Sequence, residues 1–229
     1  MSTNLSGNIL TLNNTSLDES YIKEINKRFY IPNNCSVGDT VILDGIECLC
    51  IATGVTIQGS NLTRIAIDKY HDLGYYQKYV GDTYDAGAIS YIRWWRWGGV
   101  GTALSNTSQE VGYGLQNTIN CLSNTAVYTA GTANNNYKYP LMWRGVNDFR
   151  SSHSDKWFVP SKYELFNYVY ANRSKLTFDT TTGAQSDYAF WSSSEYSANE
   201  SYYIGFGSGY SNTYYQKYTP CGVRLCRAF

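Results

Sequence analysis

Charge is what this sequence has least of. Asp, Glu, Lys and Arg make up 16% of its 229 residues, well below the quarter usual in globular domains. Eighteen acidic and eighteen basic residues cancel. A chain without a basic excess has no electrostatic footprint for nucleic acid or an anionic lipid surface, so no nucleic-acid partner is expected. Only four prolines and short Gly/Ser stretches argue against long disorder. No hydrophobic run reaches the length of a membrane span, and no membrane insertion is expected. The opening MSTNLSGNILTLNN lacks the basic start and apolar core of a secretory signal. The expectation is a chain made in the cytoplasm that stays there or leaves by another route.

Catalytic motifs are missing too. There is no G-x-S-x-G elbow, P-loop or G-x-G-x-x-G; GFGSG at 205–209 is one residue off and falls within a strand pattern. The two histidines, His71 and His153, each neighbour an acid, Asp72 and Asp155, as on exposed turns rather than beside a nucleophile. The six cysteines (35, 48, 50, 121, 221 and 226) form no C-x-x-C pair, and with the histidines they show no zinc spacing. They are expected as reduced core thiols, with Cys48 and Cys50 on one face of a strand. No catalytic residue, metal or cofactor is expected.

What the sequence has in abundance is tyrosine, 23 residues, with six tryptophans and 20 glycines. Its patterning predicts an α+β chain. In SLDESYIKEINKRFY, Ser16 and Glu19 form a capping-box pattern, and Leu17, Tyr21, Ile25 and Phe29 recur every four residues, which predicts an amphipathic helix. TVILDGIECLCIA predicts a hairpin turning at Asp44-Gly45, and NLTRIAIDKYH a third strand. SQEVGYGLQNTINCL predicts a helix within an otherwise loop-rich stretch over 74–140. Trp157 to Val159 reads as a short strand. Ser161 and Glu164 form a second capping box, opening a helix with Phe166, Val169 and Tyr170 inward. YAFWSSSE, SYYIGFGSG and CGVRLCRAF close the chain as strands.

WFVPSKYEL, FWSSSE, the Phe206 and Gly209 pair and the terminal VRLCRAF resemble the C-type lectin fold, in the branch shared with formylglycine-generating enzymes. Within that branch they are most similar to the variable proteins of diversity-generating retroelements. The resemblance covers 142–229, a little over a third of the chain. It implies a hypervariable ligand-binding protein whose C-terminal coding repeat is rewritten at adenines by a reverse transcriptase. Carriers of such proteins include phage particles, through their receptor-binding structures, and bacterial cell surfaces. The sugar-binding motifs of calcium-dependent lectins, Glu-Pro-Asn and Trp-Asn-Asp, are missing, so the resemblance concerns fold rather than sugar binding. Alternatives are a constant structural protein of the same fold, or an enzyme of the formylglycine-generating type.

The residue pattern points the same way. In SYYIGFGSG, Tyr202, Ile204 and Phe206 alternate with Tyr203, Gly205 and Gly207, which predicts one buried and one solvent-facing side. Trp191, Ile204, Phe206, Val223 and Leu225 are the expected core. Tyr196, Asn199, Tyr203, Gly205, Gly207, Tyr210, Asn212, Tyr214 and Tyr215 are the expected binding surface, for a protein or other surface ligand. Tyrosine offers a large amphipathic contact for two rotatable angles, and Ser, Gly and Asn offer adaptable hydrogen bonds. The expected organisation is an N-terminal helix and β-rich module over 1–75. A lectin-like ligand-binding domain over 76–229 follows, variable over about 188–229. The isolated chain is expected to be a monomer or weak oligomer, made multivalent by display.

Overall fold

The fold is known from a computed structural model. It describes residues 4–6, 9–12, 15–17, 27–76, 92–94, 104, 106–124, 142–178, 189–207, 209, 214–217 and 219–229. It is α+β, with antiparallel sheets.

The chain opens with a three-stranded sheet of β1 (Asn4–Ser6), β2 (Ile9–Leu12) and β3 (Thr15–Leu17), followed after residue 26 by β4 (Phe29–Tyr30). The helix predicted from Ser16 to Phe29 is thus corrected at both ends. Ser16 pairs with Thr11 and Leu17 with Leu10 in β3, while Phe29 pairs with Leu43 in β4. A serine held in a strand ladder cannot cap a helix that starts at the next residue, and in a segment rich in Ser, Thr and Asn the capping-box pattern is weakly selective. The middle of the predicted helix lies outside the described residues, apart from helical Lys27 and Arg28.

β5 (Thr40–Leu43) and β6 (Ile46–Thr53) form the predicted hairpin. Asp44 and Gly45 have φ of 55° and 84°, the double positive φ of a two-residue type I′ turn. β7 (Arg64–Asp68) is the predicted third strand, and a single helical turn, α1 (Leu73–Tyr76), follows. After β8 (Ile92–Arg93) come α2 (Gly114–Ser123) and α3 (Met142–Ser152). The predicted helix over 108–122 therefore begins late, and α3 was not anticipated.

β9 (Trp157–Phe158) leads into α4, wound as α over Lys162–Glu164, π over Leu165–Val169 and 3-10 over Tyr170–Lys175. Its capping box forms: Ser161 Oγ accepts from the Glu164 amide, and the Glu164 carboxylate accepts from the Ser161 amide at 2.7 Å. Then come β10 (Ala189–Glu195), β11 (Glu200–Gly205), β12 (Tyr214–Gln216), β13 (Pro220–Cys221) and β14 (Cys226–Ala228).

The principal sheet has the order β4-β5-β6-β7-β14-β9. The last strand sits inside it: Cys226 faces Ile67 on one side and Phe158 on the other. The principal sheet draws strands from both sides of residue 75, with β14 hydrogen-bonded directly to β7. Two apolar clusters cover this sheet. Cys48, Cys50 and Ala66 enter one, with Trp94, Trp143, Trp157, Trp191, Val223 and Leu225. Leu49, Ile51, Ile65 and Ile67 enter the other, with Phe158, Leu165, Val169, Phe190, Ile204 and Phe206. Alternate residues of β6 and β7 thus serve opposite faces, as the two-residue period of a strand requires. All five expected core positions are buried, and the six cysteines are buried free thiols.

The arginines of VRLCRAF are structural. Buried Arg224 donates through Nε to Asp72 at 2.6 Å, and through its other nitrogens to the carbonyls of Asp68 and Thr177. Arg227 pairs with Asp44 at 2.6 Å, and Trp157 Nε1 donates to the same carboxylate at 2.8 Å. The hairpin turn is thereby fastened to the last strand.

Candidate binding surface

The second sheet, of order β10-β11-β12, carries Tyr203, Gly205, Tyr214 and Tyr215 on its strands, and Tyr196 and Asn199 in the turn between β10 and β11. β10 and β11 are joined by a tight turn. The amide of Tyr196 donates to the Glu200 carbonyl at 3.0 Å, and Ser197 Oγ donates to the Glu200 carboxylate at 3.2 Å. Asn199 N–H donates to Ser197 Oγ at 3.3 Å. Short polar side chains that bond their own backbone are what such a turn needs. Tyr196 is thereby held at the end of the hairpin. Tyr214 lies on β12 opposite Tyr202 of β11.

The Tyr196 and Tyr214 rings stack at 3.8 Å and 5°, and Tyr202 meets Tyr196 edge-on at 5.5 Å. Tyr196 is 47% exposed and Tyr214 42%. A hydrogen bond with Tyr196 is the main influence pushing the Tyr214 hydroxyl above its ordinary pKa. On Tyr202 the Lys162 ammonium lies 4.2 Å from the ring centroid, and its Nζ donates to Gln109 at 3.2 Å. Burial pulls this ammonium below its usual pKa.

Behind the tyrosines is a buried, hydrogen-bonded support. Lys217 pairs with Glu195, both almost completely buried. The Lys217 ammonium also donates to the Ala198 carbonyl at 2.9 Å and lies 4.7 Å from the Trp94 ring centroid. The other Glu195 oxygen accepts from the Leu104 amide at 2.5 Å. Burial depresses the Lys217 pKa, against a Glu195 partner that raises it. The serine run of β10 is buried and occupied with internal bonds. Ser192 Oγ donates to the Tyr202 carbonyl at 2.9 Å, Ser193 Oγ accepts from Asn117 at 3.2 Å, and Ser194 Oγ donates to the Ser108 carbonyl at 2.7 Å.

Of the expected surface residues, Tyr196, Asn199, Gly207 and Tyr214 are exposed, and Tyr215 is half-buried. Tyr210 and Asn212 lie outside the described residues. The expectation fails at Tyr203 and Gly205, both buried, with Tyr203 only 7% exposed. The reason is that β10 and β11 face two cores at once. The cross-strand pair Phe190–Ile204 enters one cluster, and the next pair, Trp191–Tyr203, enters the other. Tyr215 then stacks on Tyr203 at 4.1 Å and closes that side. Alternation of a large residue with Tyr and Gly fits a strand covered on both faces as well as a strand half in water.

Lys162, Lys217 and Glu195 were not singled out from the sequence. Lys217 did leave a trace, as the single lysine between Tyr188 and Tyr218. A lone cation in such a run is a candidate for burial with a partner. The histidines sit elsewhere: His71 stacks on Tyr75 at 3.7 Å and His153 on Phe149 at 4.1 Å. Among the described residues no helix is long and apolar enough to cross a membrane. Compared with known proteins, the chain matches no family model, no characterised protein and no solved structure.

Proposed function

We propose that this chain is a ligand-recognition protein with a C-type lectin-like scaffold, whose recognition surface is diversified by a retroelement. The observation that carries this reading is the exposed, stacked Tyr196–Tyr214 pair, mounted on a sheet whose back is fixed by the buried Lys217–Glu195 pair. Rigid aromatic contact area over an ordered support is what a binding site requires, because little side-chain freedom is lost when a partner docks. The scaffold reading is supported by the placement of the terminal strand beside β7, which lets the chain end seal the core while the loops before it vary. Among the described residues, the recognition surface comprises the turn at 196–200 and the exposed side chains of strand β12. It is narrower than the pattern of SYYIGFGSG suggested, since Tyr203 and Gly205 belong to the support. The carrier is a phage particle or a bacterial cell surface, where many copies raise avidity.

The decisive experiment is genetic. The locus should hold a reverse transcriptase and a near-copy of the 3′ coding segment that differs only at adenines. The differences should fall on the codons of Tyr196, Asn199, Tyr214 and their exposed neighbours, and should spare Ser192, Ser193, Ser194, Phe206 and Lys217. Differences concentrated on those buried codons, or a locus without the copy, would overturn the proposal.

A further inference from the structure

We propose that the Tyr196–Tyr214 pair, together with the Glu200 carboxylate, is a subsite for a cationic side chain, lysine or arginine, of a protein partner. This rests on the recognition reading above and names the chemistry of one part of that surface. The face of a tyrosine ring is the negative end of its quadrupole and attracts a cation within about 6 Å of the centroid. Tyr196 and Tyr214 cover one face of each other, and their remaining exposed surface meets solvent. Glu200 lies on β11 two residues before Tyr202, the cross-strand partner of Tyr214, so strand alternation places its carboxylate on the same side of the sheet as the rings.

A second observation is independent of exposure. The same group of rings already holds a cation at its inner end, where the Lys162 ammonium lies 4.2 Å from the centroid of Tyr202. Tyr202 in turn packs edge-on against Tyr196. Lys162 keeps that position although burial opposes its charge. The ring group is therefore already used to seat an ammonium within this chain. The outer end offers the same ring chemistry with a carboxylate beside it, and is open to a partner.

The test titrates the full chain, isotopically labelled at tyrosine, with N-acetyl-lysine methylamide and with its norleucine counterpart, which lacks the ammonium. Ring resonances of Tyr196 and Tyr214 are followed by NMR. The lysine compound should give saturable shifts at both rings and bind about threefold or more tightly than the norleucine compound, the scale of an exposed cation–π contact. Tyr214→Leu should remove the shifts while leaving the thermal transition in place, and Glu200→Gln should weaken lysine binding without altering norleucine binding. Equal binding of the two compounds, or no binding of either, overturns the subsite. Because the genetic test above does not depend on ligand charge, the recognition surface can survive the loss of this subsite. A locus without the copy, with the lysine preference intact, would remove retroelement diversification and leave the subsite.

Discussion

Phe206 touches Tyr170, Phe178 and Phe190 with ring centroids at 5.4, 5.3 and 4.7 Å. Removing its ring leaves a cavity lined by aromatics that cannot collapse into it. Phe206→Ala should cost about 3–5 kcal/mol, measured by chemical denaturation. Tyr203→Ala should fall in the same range of about 3–5 kcal/mol, whereas Tyr196→Ala should stay within about 1 kcal/mol, because an exposed ring loses little burial. Comparable losses at Tyr203 and Tyr196 would contradict the division into support and surface. Glu164 is a different kind of residue. Its carboxylate accepts from the amides of Ser161, Gly112 and Gly114, yet complete burial outweighs these bonds and raises its pKa to about 7. The fold thus holds the Glu164 proton more tightly than the unfolded chain does. The associated stability is fully present below about pH 4.5 and is lost as the pH rises through about 7, up to roughly 3 kcal/mol. Glu164→Gln is neutral at every pH, but its amide nitrogen faces one of the Ser161 and Gly112 amides. It should be less stable than the wild type at pH 4 and should lose less stability between pH 4 and pH 8, a difference that denaturation at the two pH values reads directly.

At the scale of elements, strand β12 is short, pairs with β11 and is followed by Lys217, whose side chain reaches Glu195 and the Ala198 carbonyl. Lys217→Met leaves the Glu195 carboxylate buried without its cation and should cost about 3–5 kcal/mol. The double variant Lys217→Met with Glu195→Gln should recover much of that loss, since the charge is then absent from both sides. A double variant as unstable as the single one would mean that the pair matters for packing rather than charge. The elements legible in the sequence were those with local chemistry of their own. Asp44-Gly45 specifies its turn by backbone conformation, and Ser161 with Glu164 specifies the start of α4 by two reciprocal bonds. Those that escaped depend on distant partners. The segment before α2 stays out of the helix, with the backbone of Ser108 engaged by Ser194 and Asn117. The second covering of β11 is provided by Trp191 and Tyr215, neither of them a local neighbour of Tyr203. At Ser16 the local capping chemistry is overridden by a strand ladder, in which Ser16 pairs with Thr11. The candidate surface was therefore half legible: its hairpin end at Tyr196 and Asn199 was found, while its buried anchor was not.

Across the whole molecule the principal sheet depends on the last residues of the chain. β14 stands between β7 and β9, and Phe229 also exchanges backbone bonds with Arg64 at 3.0 and 3.2 Å. Deleting residues 226–229 should abolish cooperative thermal unfolding by circular dichroism, rather than merely lower its midpoint, because β9 would lose its only described strand neighbour. A truncated chain with a sharp transition would show that the sheet closes without its last strand. The position of β14 has a further consequence, in the order of synthesis. The ribosome makes the tyrosine-rich segment before it makes the strand that closes the sheet, so the principal sheet cannot close until β14 has been translated. A stop codon or frameshift anywhere in the tyrosine-rich segment removes β14 with it. Such products are left with an open sheet whose β7 edge is unpaired, and should be lost to proteolysis.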